Sequence, residues 1–245
     1  MKALILAAGY GTRLKALGEN TPKALLEIAQ KPLVNHILER IEGLNNLTEV
    51  MLVTNDKFYT TFQQWAQATQ FSVPIKIIND GTKTPEERLG SIGDIDFTIK
   101  KTQLKDDLLV VGGDNLFNYN LDDFIDFSCQ KNDSVSMGLY DIHNLEEATQ
   151  FGVVGVDESS KIISFEEKPQ NPKSTLIAMC FYYLPKNSLN LIGEYLDETK
   201  ISDTSGDYIR WLRENHDVYG FKFTGKWYDI GSIEAYEEAQ EKFKD

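Results

Sequence analysis

The sequence contains little cysteine and little histidine. Cys129 and Cys180 are the two cysteines, and three histidines are scattered over 245 residues. Disulfide frameworks and zinc sites both need cysteines or histidines clustered at short spacings. The composition therefore excludes disulfide-based redox chemistry and zinc chemistry.

Basic residues are outnumbered by acidic ones. The chain has 25 Lys and Arg against 38 Asp and Glu, which gives a net charge of −13 and an isoelectric point near 4.7. Binding to the phosphate backbone of nucleic acid requires a broad basic surface, so we expect no nucleic-acid partner. An acidic protein that binds a polyanion needs a local group of cations or a metal ion.

Long apolar runs are also missing. None reaches the roughly 20 residues of a membrane span, and the chain starts on a strand-like segment instead of a secretory signal. We expect no membrane partner and a cytoplasmic location. No repeat predicts a β-helix. With 41% hydrophobic and 26% charged residues, we expect one globular domain over residues 1–245.

The start of the chain carries the strongest pattern, Leu6-Ala-Ala-Gly-Tyr-Gly-Thr-Arg-Leu14. The apolar run Ala3–Leu6 predicts a buried strand, and the glycine-broken segment after it predicts a loop at the strand's carboxyl end. Open α/β sheets bind ligands at that edge.

This loop suits a polyanion, because four of its residues leave the backbone accessible: Ala7, Ala8, Gly9 and Gly11. Their N–H groups can lie directly against a phosphate. Thr12 is a further candidate nucleotide contact. Arg13 adds a planar cation, and Lys23 a more mobile one. The loop is neither a P-loop nor a complete dinucleotide fingerprint, since it lacks the Gly-Lys-Ser/Thr and the third glycine.

A second strong signal is Asp107-Leu-Leu-Val-Val-Gly-Gly-Asp-Asn115. An apolar strand there ends in two glycines and Asp114, which places this carboxylate at the same edge as the first loop. Mg²⁺ in nucleotide sites takes one or two carboxylates together with phosphate oxygens, so Asp114 is predicted to be a metal ligand. The alternative is a turn residue that hydrogen-bonds its own backbone.

The order of the predicted elements gives the fold class. A helix with apolar residues at Val34, Ile37 and Ile41 is followed by strand, helix and strand up to Ile78. This β-α-β-α-β order predicts an α/β, Rossmann-like three-layer α/β/α fold with a mainly parallel mixed sheet.

The second half predicts a hairpin and further elements. The hairpin is Phe151–Asp157 with Lys161–Phe165, closed by Glu166-Glu-Lys-Pro169. The remaining predictions are strands over Leu176–Leu184 and Val218–Phe223 and helices over Pro185–Leu196, Ser205–Asn215 and Ile233–Phe243.

The first loop followed by Thr21-Pro22-Lys23-Ala-Leu-Leu26 resembles the signature of sugar-phosphate nucleotidyltransferases, the NDP-sugar pyrophosphorylases. The chain is similar to glucose-1-phosphate thymidylyl- and uridylyltransferases without a C-terminal β-helix, over nearly its whole length. The resemblance implies a nucleotide-binding half near 1–133 and a sugar-phosphate-binding half near 134–245. It also implies Mg²⁺, a nucleoside triphosphate (dTTP or UTP favoured) and a sugar 1-phosphate, and leaves a homo-oligomer open.

The resemblance also assigns roles in the later motifs. Gly90, in Leu89-Gly-Ser-Ile-Gly93, corresponds to the base-reading loop, the alternative being a surface loop before a helix. Gly152 approaches the sugar ring, Glu167 accepts hydrogen bonds from its hydroxyls, and Lys168 meets its phosphate.

Asp229, in Trp-Tyr-Asp-Ile-Gly, matches a second metal ligand of the family. The alternative is an Asp favoured by a helix dipole. The implied reaction is attack of the sugar phosphate on the α-phosphorus, with release of pyrophosphate. Because the nucleophile is already ionised, the protein must chiefly overcome repulsion and misalignment.

Arg13, Lys23 and Asp114 are the predicted catalytic residues. Arg13 would stabilise the departing pyrophosphate, and Lys23 with Lys168 would position the sugar phosphate. The alternatives are a cytidylyltransferase for a non-sugar phosphate such as phosphocholine and a non-catalytic nucleotide-sugar-binding protein. Met179-Cys180 replaces a Thr-Gly pair that commonly lines the sugar, so either the pocket differs or both side chains point into the core.

Overall fold

The structure is a computed structural model that describes residues 1–11 and 21–243. The chain divides into two compact units. So far as it is described, the first unit consists of Met1–Leu89, Val111–Leu121 and Gly225–Asp245, and the second of Gly90–Val110 and Asp122–Thr224. The predicted site residues are thereby distributed over both units.

Among its described residues, the first unit contains strands of a parallel ladder, two small antiparallel pairs and three α-helices. They are β1 (Lys2–Leu6), β2 (Glu27–Ile28), β3 (Lys31–Pro32), α1 (Leu33–Ile41), β4 (Val50–Thr54), α2 (Tyr59–Ala68), β5 (Ile75–Asn79), β7 (Asn115–Phe117), β13 (Trp227–Asp229) and α8 (Ile233–Lys242). Strand β6 (Leu108–Gly112) begins in the second unit, and its last two residues belong to the first.

The ladder of the first unit explains the apolar N-terminal run. Strand β1 pairs in parallel with β4, with Ala3 opposite Val50, and β4 pairs in parallel with β5. Every residue of β4 is buried. Strands of parallel sheets are covered on both faces, so they read as continuous apolar runs.

A separate apolar cluster in this unit supports β7 and β13. It contains Leu26, Ile28, Leu33, Leu116, Ile230, Ala239 and Phe243. Strand β7 pairs antiparallel with β13, and Asp229 lies opposite Asn115. Packing of Leu116 and Ile230 in this cluster holds the segments that carry Asp114 and Asp229.

Gly113 joins the end of β6 to the loop after β1. Its N–H donates to the Leu6 carbonyl at 2.9 Å, and a Cβ at this position would lie 2.6 Å from that oxygen. The contact requires a glycine, because real Cβ atoms do not approach backbone oxygens so closely. Asp114 is thereby placed beside the first loop.

The second unit contains the rest of the elements. They are α3 (Gly90–Thr102), α4 (Asp122–Cys129), β8 (Val135–Asp141), α5 (Leu145–Ala148), β9 (Gly152–Val156), β10 (Ile162–Glu167), β11 (Leu176–Leu184), α6 (Asn190–Thr199), α7 (Ser205–Asn215) and β12 (Val218–Phe223).

Strand pairing in the second unit is mixed. Strands β9 and β10 form the predicted hairpin, and Glu167 lies opposite Gly152. Strand β11 pairs antiparallel with β8 and β9, and β12 pairs in parallel with β8. Helix α7 packs on β10. The hairpin end that carries Glu167 is therefore close to α7.

The predicted fold class is confirmed: the chain has an α/β fold with a mixed, mainly parallel sheet. The bounds of β11, α7 and β12 agree with the sequence prediction. The helix predicted over Pro185–Leu196 starts later, at Asn190, because a short 3-10 turn at Lys186–Ser188 follows the proline. Within the described part of the chain, no helix is long and apolar enough to span a membrane.

We expect Gly113→Ala to lower the free energy of unfolding by about 1–3 kcal/mol, the usual cost of forcing an extra methyl group into packed structure. The nearest atom is a backbone oxygen, which cannot rotate away. Urea unfolding measures the effect. Gly193→Ala, in α6, is the control, since no described atom lies within 4 Å of its Cβ position. Equal stability of the two variants would contradict the contact.

Candidate functional site

The predicted site residues fall into one group in each unit. The first unit holds Ala7, Ala8, Gly9, Gly11, Lys23, Asp114 and Asp229, and the second holds Gly90, Gly152, Glu167 and Lys168. Thr12 and Arg13 lie outside the described residues.

The loop after β1 is partly tied down and partly open. The Ala7 N–H donates to the Val53 carbonyl at 2.9 Å, and Asn55 Nδ2 donates to the Ala8 carbonyl at 2.9 Å. Pairing with β4 occupies the Ala7 amide, so the amides of this loop that can face a ligand begin after it, and nucleotide contact by Ala7 stays a prediction.

Gly9 and Gly11 differ from the glycines that pack against protein atoms. No described atom lies within 4 Å of either Cβ position. Gly11 has a φ of 61°, which favours glycine. Space beside the loop backbone is what close approach of a phosphate requires.

Tyr10, in this same loop, reaches the loop after β5, and the sequence did not reveal this contact. Its hydroxyl donates to Thr82 Oγ1 at 3.2 Å, and the Thr82 N–H and hydroxyl donate to Asp80 Oδ1 at 2.7 and 2.8 Å. Burial raises the pKa of Tyr10, and the Asp80 charge adds to this. The hydroxyl therefore stays protonated as a donor and joins the two loops.

Lys23 and Asp114 form an ion pair. Lys23 Nζ lies 2.8 Å from Asp114 Oδ2, and the side chains are 22% and 37% exposed. Pairs this accessible to water contribute about 0–1 kcal/mol to stability. The pair therefore contributes little to the stability of the fold. Its main consequence is to place a positive and a negative charge next to each other at the end of β6.

Asn115 fixes the other carboxylate oxygen, and sequence reasoning did not single it out. Its Nδ2 donates to Asp114 Oδ1 at 2.9 Å, and its Oδ1 accepts from Trp227 Nε1 at 2.8 Å. The backbone N–H of Ile230 donates to the Asp114 carbonyl at 2.9 Å. Asp114 and Asp229 are therefore carried by neighbouring, hydrogen-bonded backbone segments.

This donor set fits Mg²⁺ bound together with a phosphate ligand. The Lys23 ammonium shows that Asp114 Oδ2 accommodates a cation. Over residues 1–11 and 21–243, no group of three or more His, Cys, Asp or Glu side chains is arranged to hold a metal. Two carboxylates suffice for Mg²⁺, because phosphate oxygens and water complete its coordination.

In the second unit, Gly152 and Glu167 meet across the hairpin. A Cβ at Gly152 would lie 2.6 Å from Phe165 Cζ and 3.2 Å from Glu167 Oε2. A side chain at position 152 would therefore crowd the Phe165 ring as well as the Glu167 carboxylate. Packing thus accounts for the glycine at position 152, and its approach to a sugar ring stays a prediction.

The Glu167 carboxylate is half-buried without a hydrogen-bonding partner among the described residues. Burial raises its pKa, while the Lys168 charge lowers it, and no donor contributes. A desolvated acceptor without donors is costly in a folded protein. Such a group is suited to accept hydrogen bonds from a ligand.

Lys168 has a strained backbone. Its φ is 44°, and the left-handed region costs a residue with a Cβ about 1–2 kcal/mol. It also precedes Pro169, which restricts its conformation further. The Lys168 N–H donates to the Phe151 carbonyl at 3.0 Å and holds this geometry. Nine other described residues with a Cβ also have a positive φ, so the contact of Lys168 with phosphate stays a prediction.

Gly90 packs against the segment before α7. Its φ is 78°, and a Cβ there would lie 2.5 Å from the Ser202 carbonyl oxygen and would clash with the Asp203 Cα. The Ile92 N–H donates to the Ser202 carbonyl at 3.1 Å. Contact with this backbone explains the glycine without a nucleobase, and base reading by Gly90 stays a prediction.

The two residues of Met179-Cys180 have different environments. Met179 is 1% exposed and belongs to the core, whereas Cys180 is partly exposed. Cys180 and Glu167 both lie close enough to the buried Tyr182 to raise the pKa of its hydroxyl, although burial is the larger cause. Of these two residues, Cys180 is therefore the one that is accessible from outside the core.

These features define an α/β protein with a glycine loop after β1, an ion pair at the neighbouring strand end and two aspartates on adjacent backbone segments. The family model for nucleotidyl transferases matches residues 2–245. The chain belongs to this enzyme family, and the predicted kinship with sugar-phosphate nucleotidyltransferases is confirmed.

Curated relatives include the bifunctional protein GlmU of Methanocaldococcus jannaschii, 32% identical over 236 residues, with 94% of this chain and 51% of the relative covered. GlmU of Methanococcus aeolicus is 29% identical over 237 residues, with the same coverage. The chain thus spans about half the length of these relatives.

Solved structures agree in fold. A Bacillus anthracis protein described as a glucose-1-phosphate thymidylyltransferase, in complex with sucrose, has a TM-score of 0.83 at 22% identity, over 98% of this chain and 94% of its own. A UDP-glucose pyrophosphorylase in complex with UDP-glucose has a TM-score of 0.80 at 23% identity, over 98% and 97%. At such identities the likeness shows the fold alone.

Proposed function

We propose that this protein transfers a nucleotidyl group from a nucleoside triphosphate to a sugar 1-phosphate, giving an NDP-sugar and pyrophosphate. The observation that supports the proposal is the Lys23–Asp114 ion pair, with Asp229 on a neighbouring segment, at a strand end that is hydrogen-bonded to the start of the glycine loop. Family membership supports it, as do the solved structures described as a glucose-1-phosphate thymidylyltransferase and a UDP-glucose pyrophosphorylase. We propose dTTP or UTP as the favoured nucleotide.

The protein's own residues would act by binding and orienting two polyanions. The amides around Gly9 and Gly11 would cradle the triphosphate, and Arg13 would neutralise the departing pyrophosphate. Lys23 would exchange its contact with Asp114 for one with phosphate. Because both substrates are anionic, holding them in line against their repulsion supplies most of the rate.

Asp114 and Asp229 would hold Mg²⁺. When bound, the ion withdraws charge from phosphate oxygens and favours displacement at phosphorus. Asn115 keeps the Asp114 carboxylate in place through its hydrogen bond to Oδ1. An acidic chain with a net charge of −13 needs such local positive charge to bind a triphosphate.

The second unit would bind the sugar phosphate, so that the whole chain acts as one nucleotidyltransferase domain. Glu167 would accept hydrogen bonds from sugar hydroxyls, the Gly152 backbone would approach the sugar ring beside this carboxylate, and Lys168 would meet the phosphate. The half-buried Glu167 has no hydrogen-bond donor among the described residues, so sugar hydroxyls would satisfy its oxygens, whereas the quaternary ammonium of phosphocholine would offer charge attraction but no hydrogen bond.

A matrix of nucleoside triphosphates against sugar 1-phosphates, read by pyrophosphate release, tests the function directly. We expect turnover with at least one pyrimidine nucleotide and one sugar phosphate, and little with phosphocholine. Turnover with phosphocholine alone would transfer the assignment to the cytidylyltransferases, and no release with any pair would refute the proposal.

Asp114→Asn and Asp229→Asn should each remove most turnover, because the amide keeps the shape but loses the charge that attracts Mg²⁺. Both should also weaken Mn²⁺ binding in the presence of nucleotide, measured by electron paramagnetic resonance. Asp197→Asn, whose carboxylate is 90% exposed, is the control. If either site variant binds Mn²⁺ and turns over like the control, that Asp is not a metal ligand.

Cys180→Gly should change the ranking of sugar 1-phosphates in favour of glucose 1-phosphate over deoxy sugars, since it restores space beside the sugar. Met179→Thr should lower the free energy of unfolding by about 2 kcal/mol, as for other truncated core side chains. It should leave the ranking unchanged. A ranking that Cys180→Gly does not alter would show that Cys180 does not border the sugar.

A further inference from the structure

Gly206 lies in the first turn of α7, directly against Glu167. A Cβ at this position would clash with Glu167 Oε2 and would lie 3.0 Å from Glu167 Cδ and 3.2 Å from Phe165 Cε1. Gly152 approaches the same Oε2 from the hairpin. The carboxylate therefore occupies a slot bounded by two glycines and the Phe165 ring.

The helix itself does not require a glycine at this position. Gly206 is not among the residues with positive φ, and glycine in a helix is less favourable than alanine by about 1 kcal/mol. The local backbone would thus favour alanine. What the glycine provides is space for the Glu167 carboxylate.

The start of α7 is held in place, so it cannot retreat from a larger side chain. The Ile92 and Gly93 N–H groups donate to the Ser202 carbonyl at 3.1 and 3.3 Å. The end of the Glu167 side chain is the flexible partner, so it is the group that would move.

We propose that Gly206 is a positioning residue for sugar binding: its missing side chain sets the place of the Glu167 carboxylate. The role rests on the proposed function. It predicts that a methyl group at 206 changes sugar affinity while the fold and the nucleotide site are retained.

Gly206→Ala should raise the KM for sugar 1-phosphate roughly 10-fold or more, the consequence of misplacing a charged hydrogen-bond acceptor. The KM for nucleoside triphosphate and the melting temperature should stay close to those of Gly193→Ala. That variant adds the same methyl group to α6, where no described atom lies within 4 Å. Steady-state kinetics at saturating partner substrate, with thermal melting, supply these readouts.

A double-mutant cycle separates positioning from a general effect of the methyl group. In a Glu167→Ala background, Gly206→Ala should cause no further increase in the KM for sugar phosphate, because the carboxylate it displaces is gone. Additive effects in this cycle would overturn the proposal, as would a KM equal to that of Gly193→Ala.

Two other outcomes are distinguished by the same measurements. A lowered melting temperature with equal increases in both KM values would show a folding defect and overturn the positioning role. If the wild-type protein releases no pyrophosphate with any substrate pair, the proposed function fails, and the role of Gly206 fails with it. Wild-type turnover with an unaffected Gly206→Ala variant refutes the role of Gly206 alone.

Discussion

The first unit depends on the contact of two strand ends at Gly113. The hydrogen bond from Gly113 to the Leu6 carbonyl brings the end of β6 against the loop after β1. Because no side chain fits between them, Asp114 follows directly beside the glycine loop. Asn115 then fixes its carboxylate, and Lys23 balances its charge. The Lys23–Asp114 pair thus lies next to the loop after β1 because Gly113 has no Cβ.

The negative net charge of the protein explains why the residues predicted to bind phosphate are confined to a small region. With a net charge of −13, the protein as a whole repels a triphosphate, and screening confines that repulsion to about 8–10 Å in physiological salt. A few cations placed directly at the ligand are therefore sufficient. In the proposed function, the Lys23 charge would move from Asp114 to the ligand at little cost in stability, since an accessible ion pair contributes about 0–1 kcal/mol.

The sequence predicted the elements with strong patterns and missed those set by tertiary contacts. Strand β11 and helix α7 follow from their composition and spacing, and their bounds agree. Strands β7 and β13 have three residues each, too few for a periodic signal. The sequence motif identified Asp114 as a candidate ligand. It did not reveal the role of Asn115, because the Asn115 side chain is held by Trp227, which lies 112 positions away in the sequence.

Glycines show most clearly why sequence alone could not complete the site. In the sequence, Gly9, Gly90 and Gly206 look alike. In the structure, a Cβ at Gly9 would have no described atom within 4 Å, a Cβ at Gly90 would clash with backbone, and a Cβ at Gly206 would clash with the Glu167 carboxylate. A neighbouring backbone cannot yield, so such a glycine serves the fold. The end of a flexible side chain can yield, so substitution there is felt mainly by whatever that side chain binds. Whether a glycine matters for the fold or for ligand binding therefore depends on the atoms next to it.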